Sequence, residues 1–317
     1  MRTYGIYSAT VRSEARLSEL APAPGRTEVD FEIEVGPLPF PVDSDLDQPL
    51  TQRLSPDGSV WLDLARTTEG FALSFPGIAR FAVSSGRPIR IRCSSEDGRL
   101  SSTVRHLLLD QVIPLSLSIL GRPAFHASAV VLGGSVVAFA GDAGRGKSTL
   151  AASFAAMGAP AFSDDCLVLT ESGPPVLVGA GYSSLRLWPD TVKAIVGDAP
   201  LSRVASYSDK RRFGEEDGLL MEAARNLPLR CIYVLGEPSE SIQFQTLTPR
   251  EALIELVRFT YLMDPCDPSV LAWQLRNLAP LARAGMVFGL RYPRDYGALE
   301  TVTQAVARHA ASHGSPV

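Results

Sequence analysis

The chain has few of the features that mark secreted, metal-binding and membrane proteins. Its four cysteines, Cys93, Cys166, Cys231 and Cys266, are far apart, and none belongs to a C-x-x-C pair. A zinc site built on cysteine pairs and a disulfide framework are therefore not expected, and a reducing compartment fits. There is no long apolar core near the first residue and no uninterrupted run of about 18 apolar residues. We therefore expect a cytoplasmic protein without a membrane partner.

An excess of positive charge is also missing. The chain has 30 Lys and Arg residues against 34 Asp and Glu residues, a formal net charge of −4, and its cations are scattered. This composition offers no long-range attraction for nucleic acid, which we therefore do not expect as a partner. With 45% apolar and 20% charged residues over 317 positions, the chain is globular and long enough for two domains.

A glycine-rich turn lies near the middle of the chain. The apolar run 136–140 enters it, and a helical run that stops at Gly158 leaves it. Glycines allow backbone N–H groups to approach phosphate oxygens, Lys147 adds a cation, and the helix presents its positive N-terminal end. The alternative, a plain glycine-rich turn, has no need of Lys147 and Ser148. We therefore predict a P-loop (Walker A pattern) for ATP, formed by Gly141, Asp142, Ala143, Gly144, Arg145, Gly146, Lys147, Ser148 and Thr149.

Two adjacent carboxylates follow the predicted P-loop helix. The short apolar segment 161–163 reads as a buried strand, and Asp164 and Asp165 come directly after it. Parallel α/β sheets hold their ligands at such strand ends. One carboxylate suffices to hold Mg²⁺, whereas a kinase also needs a group that accepts the proton of the attacking hydroxyl. The pair therefore favours phosphoryl transfer to an alcohol, with a solvated Asp-Asp turn as the alternative.

A histidine precedes the P-loop at a distance that suits a hairpin. His126 stands 21 residues before Lys147, just before the apolar run 129–132, and Gly133-Gly134 can form the turn. A lone histidine is usually structural, so the spacing by itself assigns it no role.

These residues together resemble the catalytic domain of the HPr kinase/phosphorylase family. The family's histidine, P-loop lysine and serine, and aspartate pair fall without a gap on His126, Lys147, Ser148, Asp164 and Asp165. The resemblance covers residues 125–165 and implies a P-loop kinase related to phosphoenolpyruvate carboxykinase. Segments 181–190, 229–235 and 290–295, with the cluster Lys210-Arg211-Arg212, look like a divergent branch that includes the serine kinases of lasso-peptide precursors.

The chain departs from true HPr kinases in two places. It has no counterpart of their Arg-Gly-rich signature loop and asparagine after the aspartate pair, and Thr149 stands where that family usually has glutamate. Control of sugar transport through HPr and the reverse phosphorylase activity are therefore not expected, although a true HPr(Ser) kinase/phosphorylase stays an alternative.

The resemblance also implies roles for single residues. Lys147 would hold the phosphates of ATP, Ser148 and Asp165 would hold Mg²⁺, and Asp164 would be the base, an order that rests on resemblance alone. His126 would orient or tune that base. The acceptor would be a hydroxyl, most readily a serine of a peptide or protein. A regulatory module that binds ATP without transferring phosphate stays an alternative, and a homo-oligomer stays open.

The basic cluster suggests a further group at the site. The P-loop supplies few cations for the transferred phosphate, and the polar span 198–228 is long enough to be a lid. We therefore expect Lys210 and Arg211 to close over the transferred phosphate.

The predicted fold class is α/β, an HPr-kinase-like P-loop kinase domain with an N-terminal β-rich domain. Short strands at turn spacing suggest an antiparallel sheet over residues 1–100, and linking helices follow over 101–122, where Pro114 should kink or end the first helix. The catalytic domain spans 123–311, and 312–317 is a fraying tail. Thr248-Pro249-Arg250-Glu251 predicts a helix start with a capping box.

Overall fold

The computed structural model describes residues 1–39, 50–55, 57–95, 98–171, 175–179, 181–182, 184–197, 201, 203–213 and 226–313. Residues 198–200, 202 and 214–225 of the predicted lid span 198–228, and most of the predicted tail, lie outside these residues. Two compact units are present. One comprises Met1–Gly121 and Leu262–Leu271, and the other comprises Arg122–Tyr261 and Ala272–Val317.

The first unit contains a sheet of eight strands, which confirms a β-rich region before residue 100. The strands are β1 (Arg2–Ile6), β2 (Ala9–Ser13), β3 (Phe31–Val35), β4 (Thr51–Leu54), β5 (Val60–Arg66), β6 (Gly70–Phe75), β7 (Ala79–Ser84) and β8 (Ile89–Ser95). Their order is β1-β2-β3-β8-β7-β6-β5-β4. Apolar and acidic residues alternate along β3, as in a strand with one buried face. Phe31 and Ile33 are buried, whereas Glu32 and Glu34 form ion pairs with arginines of β2 and β8.

The prediction of a purely antiparallel sheet was wrong at β3. This strand pairs in parallel with both β2 and β8. The reason is its connection, because residues 14–30 separate β2 from β3, and a connection of this length can return the chain in the same direction where a tight turn cannot.

A helical segment follows the eight strands of the first unit. It runs through α1 (Ser102–Leu107), a π-helical turn (Leu108–Val112) and α2 (Ile113–Leu117). Pro114 lies in the first turn of α2, where its missing N–H costs least, and the irregularity takes the form of the π turn before it. The helical segment therefore continues through Pro114, and α1 and α2 are joined without a break by the π turn.

The second unit is built on a sheet of nine strands. These are β9 (Ala124–Phe125), β10 (Ala127–Leu132), β11 (Ser135–Ala140), β12 (Ala161–Ser163), β13 (Leu167–Glu171), β14 (Leu177–Gly179), β18 (Asn226–Leu235), β19 (Gln243–Thr246) and β20 (Val287–Arg291). The path is β12-β10-β11-β18-β14-β13-β9, with β20 beside β18 and β19 beside β20. At its centre β11, β18 and β20 run parallel, which brings their carboxyl ends to one edge.

Helices cover both faces of this central sheet. They are α3 (Lys147–Ala156), α4 (Pro189–Ile195), α5 (Pro249–Arg258), α6 (Pro268–Arg283) and α7 (Leu299–Ser312), with a 3-10 turn at Tyr296–Ala298. Successive residues of β11 alternate between the two cores, since Phe139 packs with α3 and α7 and Ala138 packs with α5 and α6. Strands buried on both faces explain the continuous apolar runs in the sequence. Among the helices in the described ranges, none combines the length and the apolar character needed to cross a membrane.

A small sheet of three strands completes the second unit. Its strands are β15 (Leu185–Leu187), β16 (Arg203–Ala205) and β17 (Ser208–Phe213), in the order β15-β17-β16. The sequence predicted a polar loop here, so the hairpin of β16 and β17 is a correction. The sequence of this region is polar because only one face of the strand pair β15 and β17 packs on the core. That face contributes Leu185, Leu187 and Phe213.

Candidate active site

The glycine-rich turn joins the carboxyl end of β11 to α3. Three of its glycines have positive φ, with 154° at Gly141, 79° at Gly144 and 88° at Gly146. Residues other than glycine rarely adopt positive φ angles. At Gly146 a Cβ would also lie 2.6 Å from Nη1 of Arg294 and 2.8 Å from the hydroxyl of Tyr292, so these side chains would have to shift. The loop backbone therefore depends on the glycines that the sequence pattern places there.

Lys147 is the buried cation of the loop. Its side chain is 6% exposed, and Nζ donates to the carbonyl oxygens of Gly141 at 2.7 Å and Asp142 at 3.2 Å. Burial lowers the pKa of Lys147, and the carboxylates of Asp165 and Asp164 raise it in part. Lys147 therefore lies where the loop, the N-terminus of α3 and the carboxylate pair meet.

Ion pairs tie the loop to its surroundings. Arg258, the last residue of α5, contacts Asp142 at 2.6 Å, and Arg145 forms an ion pair with Glu237. Among the described residues, no side chain caps the N-terminus of α3, so its first N–H groups are available to an anion. Thr149 is half-buried in the first turn of α3, and the exposed residues of the loop are Asp142, Ala143 and Gly144.

Asp164 is surrounded by protein donors. Its Oδ1 accepts hydrogen bonds from the hydroxyls of Ser128 at 2.6 Å and Ser148 at 2.8 Å. Its Oδ2 accepts from the backbone N–H of Arg186 at 2.9 Å, and the Nε of that arginine lies 3.5 Å away. The side chain is fully buried. The carboxylate that contacts the P-loop serine is thus Asp164, whereas the family resemblance implied that Ser148 and Asp165 together hold Mg²⁺.

Asp165 differs from its neighbour in backbone and in surroundings. Its φ is 65°, in the left-handed region. Its Oδ2 lies 3.4 Å from Nη1 of Arg186, and within the described ranges no serine hydroxyl contacts it. Burial raises the pKa of Asp165, but Arg186, His126, Lys210 and Lys147 together outweigh burial, so this pKa lies well below its ordinary value. Asp165 is therefore an ionised carboxylate among cations.

His126 and Tyr261 contact the backbone of Asp165. The hydroxyl of Tyr261 donates to the Asp165 carbonyl at 3.0 Å, and Nδ1 of His126 lies 2.9 Å from that hydroxyl. Both donors have an acceptor if Nδ1–H of His126 donates to the Tyr261 hydroxyl, which in turn donates to the Asp165 carbonyl. In this tautomer Nε2 of His126 keeps its lone pair. Burial lowers the pKa of His126 to about 4, against an opposing effect of Asp165. His126 is thus a neutral imidazole at pH 7.

One face of the small sheet adds further cations. Arg186 on β15 lies opposite Arg212 on β17, and both guanidinium groups lie 6.0 Å from the ring of Tyr182. Lys210 shares this face, with Nζ 5.7 Å from the ring of Trp188 and close enough to act on the pKa of Asp165. The basic cluster of the sequence therefore reaches the carboxylate pair through Lys210.

Arg211 lies on the other face of β17. It stands opposite Leu187, next to the pair Leu185 and Phe213 that packs on the core. Adjacent residues of a strand point to opposite faces. Lys210 and Arg211 were expected to act together on the transferred phosphate, but as neighbours in a strand they point to opposite faces. Arg212 is the residue that shares the face of Lys210.

The structure thus brings together six of the residues singled out in the sequence, namely His126, Lys147, Ser148, Asp164, Asp165 and Lys210. Sequence reasoning missed three of their closest partners. Ser128 and Tyr261 carry no motif, and Arg186 stood only inside a segment of family resemblance. A signal existed for Ser128 alone, because it follows by two positions His126, which stands at the bend just before β10.

The site suits a hard metal ion. The hydroxyl of Ser148 and the carboxylate of Asp164 supply oxygen ligands, which Mg²⁺ prefers. Over the described part of the chain, no group of three or more His, Cys, Asp or Glu side chains forms a metal site. Mg²⁺ is commonly held by one or two protein oxygens together with substrate phosphates, so the residues present fit it.

Comparisons with known proteins add little. No family model and no curated protein matches the chain. Among solved structures, that of the Hpr(Ser) kinase/phosphatase from Coxiella burnetii matches with 11% identity and a TM-score of 0.32, over 60% of this chain and 97% of that one. A likeness this distant carries no argument about the activity of this chain.

Proposed function

We propose that this protein is a phosphotransferase that moves the γ-phosphoryl group of ATP to a hydroxyl, with a serine of a peptide or protein as the acceptor. The observation that carries the proposal is the division between the two carboxylates. Ser148 meets Asp164 at 2.8 Å, whereas Asp165 lies beside the cations Arg186, Lys210 and Lys147. A protein that only binds a nucleotide needs the first arrangement and has no use for the second.

The geometry favours an order of roles opposite to the one that resemblance suggested. Asp164 and Ser148 would hold Mg²⁺, which supplies neutralising charge to the phosphates when it is bound. Asp165 would orient the acceptor hydroxyl and take its proton. Its lowered pKa makes it a weak base, which suffices because phosphoryl transfer depends mostly on positioning and on electrostatic stabilisation.

The remaining groups serve the phosphates. The N–H groups of the loop and the N-terminus of α3 would bind the β- and γ-phosphates, with Lys147 as their buried cation. Lys210 and Arg212 would face the transferred group from the small sheet. In the reaction, the acceptor oxygen bonds to the γ-phosphorus, the bond to the β–γ bridging oxygen breaks, ADP leaves with the electron pair, and the hydroxyl proton passes to Asp165.

The proposal is tested by following the γ-phosphate itself. Protein, Mg²⁺ and [γ-³²P]ATP are incubated with synthetic peptides that each carry a single Ser, Thr or Tyr, with HPr in a separate reaction. We expect label on serine peptides, and its loss in Lys147→Ala, which removes the buried cation. Label on HPr in preference to every peptide would instead favour an HPr(Ser) kinase.

Nucleotide titration separates the competing class. The wild-type protein could bind Mg·ATP and yet transfer no label to peptide, to HPr or to water. It would then be a nucleotide-binding module, and the proposal would fail. Asp209→Asn is a suitable control, because this exposed carboxylate pairs with Arg203 on the small sheet and should leave transfer unchanged.

A further inference from the structure

The backbone of Asp165 is held in a conformation that its own side chain does not favour. A φ of 65° at a residue other than glycine costs free energy, although the cost is lower for aspartate than for bulkier residues. Such residues persist where the surrounding structure fixes them, and they cluster at functional sites. A contact that fixes Asp165 is therefore expected close by.

That contact is made to the carbonyl oxygen of Asp165. The hydroxyl of Tyr261 donates to it at 3.0 Å, and Nδ1 of His126 lies 3.2 Å from the same oxygen. Holding this carbonyl fixes the peptide plane that follows Asp165, and thereby the direction of its Cα–Cβ bond. The carboxylate is then aimed by a group that does not touch it.

Tyr261 is itself rigidly placed. Its N–H donates to the carbonyl of Ala124 at 2.8 Å, and the N–H of His126 donates to the carbonyl of Phe259 at 2.7 Å. The ring is 5% exposed and meets the ring of His126 edge to face at 5.9 Å between centroids. Residues 259–261 thus run antiparallel beside β9 and carry the hydroxyl to Asp165.

We propose that Tyr261 is a positioning residue for phosphoryl transfer, which holds the Asp165 carboxylate in its working direction through the Asp165 carbonyl. The inference rests on the proposed function. A displacement of about 1 Å in a reacting group can cost about a hundredfold in rate. Loss of the hydroxyl should therefore slow transfer without weakening nucleotide binding.

The second unit contains a matched control. Tyr233 is buried as completely, and its hydroxyl lies 2.8 Å from Nδ1 of His309. This tyrosine–histidine pair packs against Phe244 and Phe288 and has no carboxylate among its described contacts. Tyr233→Phe removes a buried hydroxyl of the same kind, so it measures the general cost of such a loss.

The experiment is a double-mutant cycle on Tyr261→Phe and Asp165→Asn. Single-turnover release and transfer of ³²P from Mg·[γ-³²P]ATP are measured, together with the Kd of Mg·ATP. We expect Tyr261→Phe to lower the rate by about ten- to a hundredfold, with Kd changed less than twofold. In the Asp165→Asn background, removal of the same hydroxyl should change the rate less than twofold. Tyr233→Phe should retain the wild-type rate.

Two results would overturn the inference. One is a Tyr261→Phe enzyme with the wild-type rate, and the other is a loss that is equally large with and without the Asp165 carboxylate, as a purely structural role would give. Failure of the proposed function looks different. In that case the wild type transfers ³²P no faster than Lys147→Ala does, and the inference falls with it.

Discussion

Asp164 and Asp165 are adjacent in the chain, yet the regions around their carboxylates differ in kind. Asp164 is enclosed by groups that donate hydrogen bonds to it, two of them serine hydroxyls. Asp165 lies among cations and is steered through its backbone carbonyl. Asp165 also has a left-handed φ, and its carboxylate lies beside Arg186 and not beside the serines that donate to Asp164. Two identical side chains thus have different surroundings.

The largest expected effect comes from removing the second carboxylate. Asp165→Asn keeps the size of the side chain but loses the charge that orients the acceptor hydroxyl and accepts its proton, so transfer should fall by about 10²–10⁴ while the Kd of Mg·ATP stays within a few fold. Single-turnover rates and a nucleotide titration measure both quantities. An Asp165→Asn enzyme that retains more than a third of the wild-type rate would remove the distinction between the two carboxylates.

The cations around Asp165 should matter next. Lys210→Ala with Arg212→Ala removes positive charge from the face that meets Asp165, and we expect transfer to slow by about ten- to a thousandfold with nucleotide affinity retained. Arg211→Ala is the matched control, since this residue points to the opposite face of β17. Equal losses in the double variant and in Arg211→Ala would contradict the assignment of the two faces.

Much of this site could be predicted because it is local in sequence. The strand, the glycine-rich turn and α3 are consecutive, and Asp164 and Asp165 follow the next strand, so their spacing carries the information. The capping box at Thr248 was confirmed for the same reason, because its residues are consecutive in the chain.

The parts that escaped prediction depend on contacts between distant segments. Tyr261 reaches Asp165 across 96 positions, and no local pattern marks a tyrosine for that contact. The hairpin of β16 and β17 reads as a polar loop because one of its faces carries arginine and lysine. The parallel pairing of β3 was missed because neighbouring strands are usually joined by turns.

Acid should weaken the fold through the histidine beside Asp165. The pKa of His126 falls from 6.5 to about 4 in the folded protein, so between these pH values the unfolded chain binds more protons and stability drops as pH falls. The loss is at most about 3 kcal/mol, and less for a ring that is partly exposed. Guanidinium unfolding in Mg²⁺-free buffer at pH 7.5 and 4.5 measures it. The difference between the two pH values should shrink in His126→Gln, and an unchanged difference would contradict the assignment.

The smallest effect concerns the serine that does not belong to the P-loop. Ser128→Ala removes one of two hydroxyl donors from Asp164 and leaves Ser148 in place. We expect a loss of about 1 kcal/mol in the free energy of unfolding and a change of a few fold in the rate. Thermal melts and steady-state rates suffice, and a loss as large as that of Asp165→Asn would show that the two regions are not separate.

The dependence of transfer on Mg²⁺ concentration tests the division between the carboxylates most directly. Asp164→Asn and Asp165→Asn are titrated with Mg²⁺ at saturating ATP, and the rate is followed by release of ³²P. The account predicts that Asp164→Asn needs at least tenfold more Mg²⁺ for half-maximal rate and regains activity at high concentration, whereas Asp165→Asn keeps the wild-type Mg²⁺ requirement and stays slow throughout. The opposite pattern, with Mg²⁺ rescuing Asp165→Asn, would contradict it and restore the order of roles that resemblance suggested.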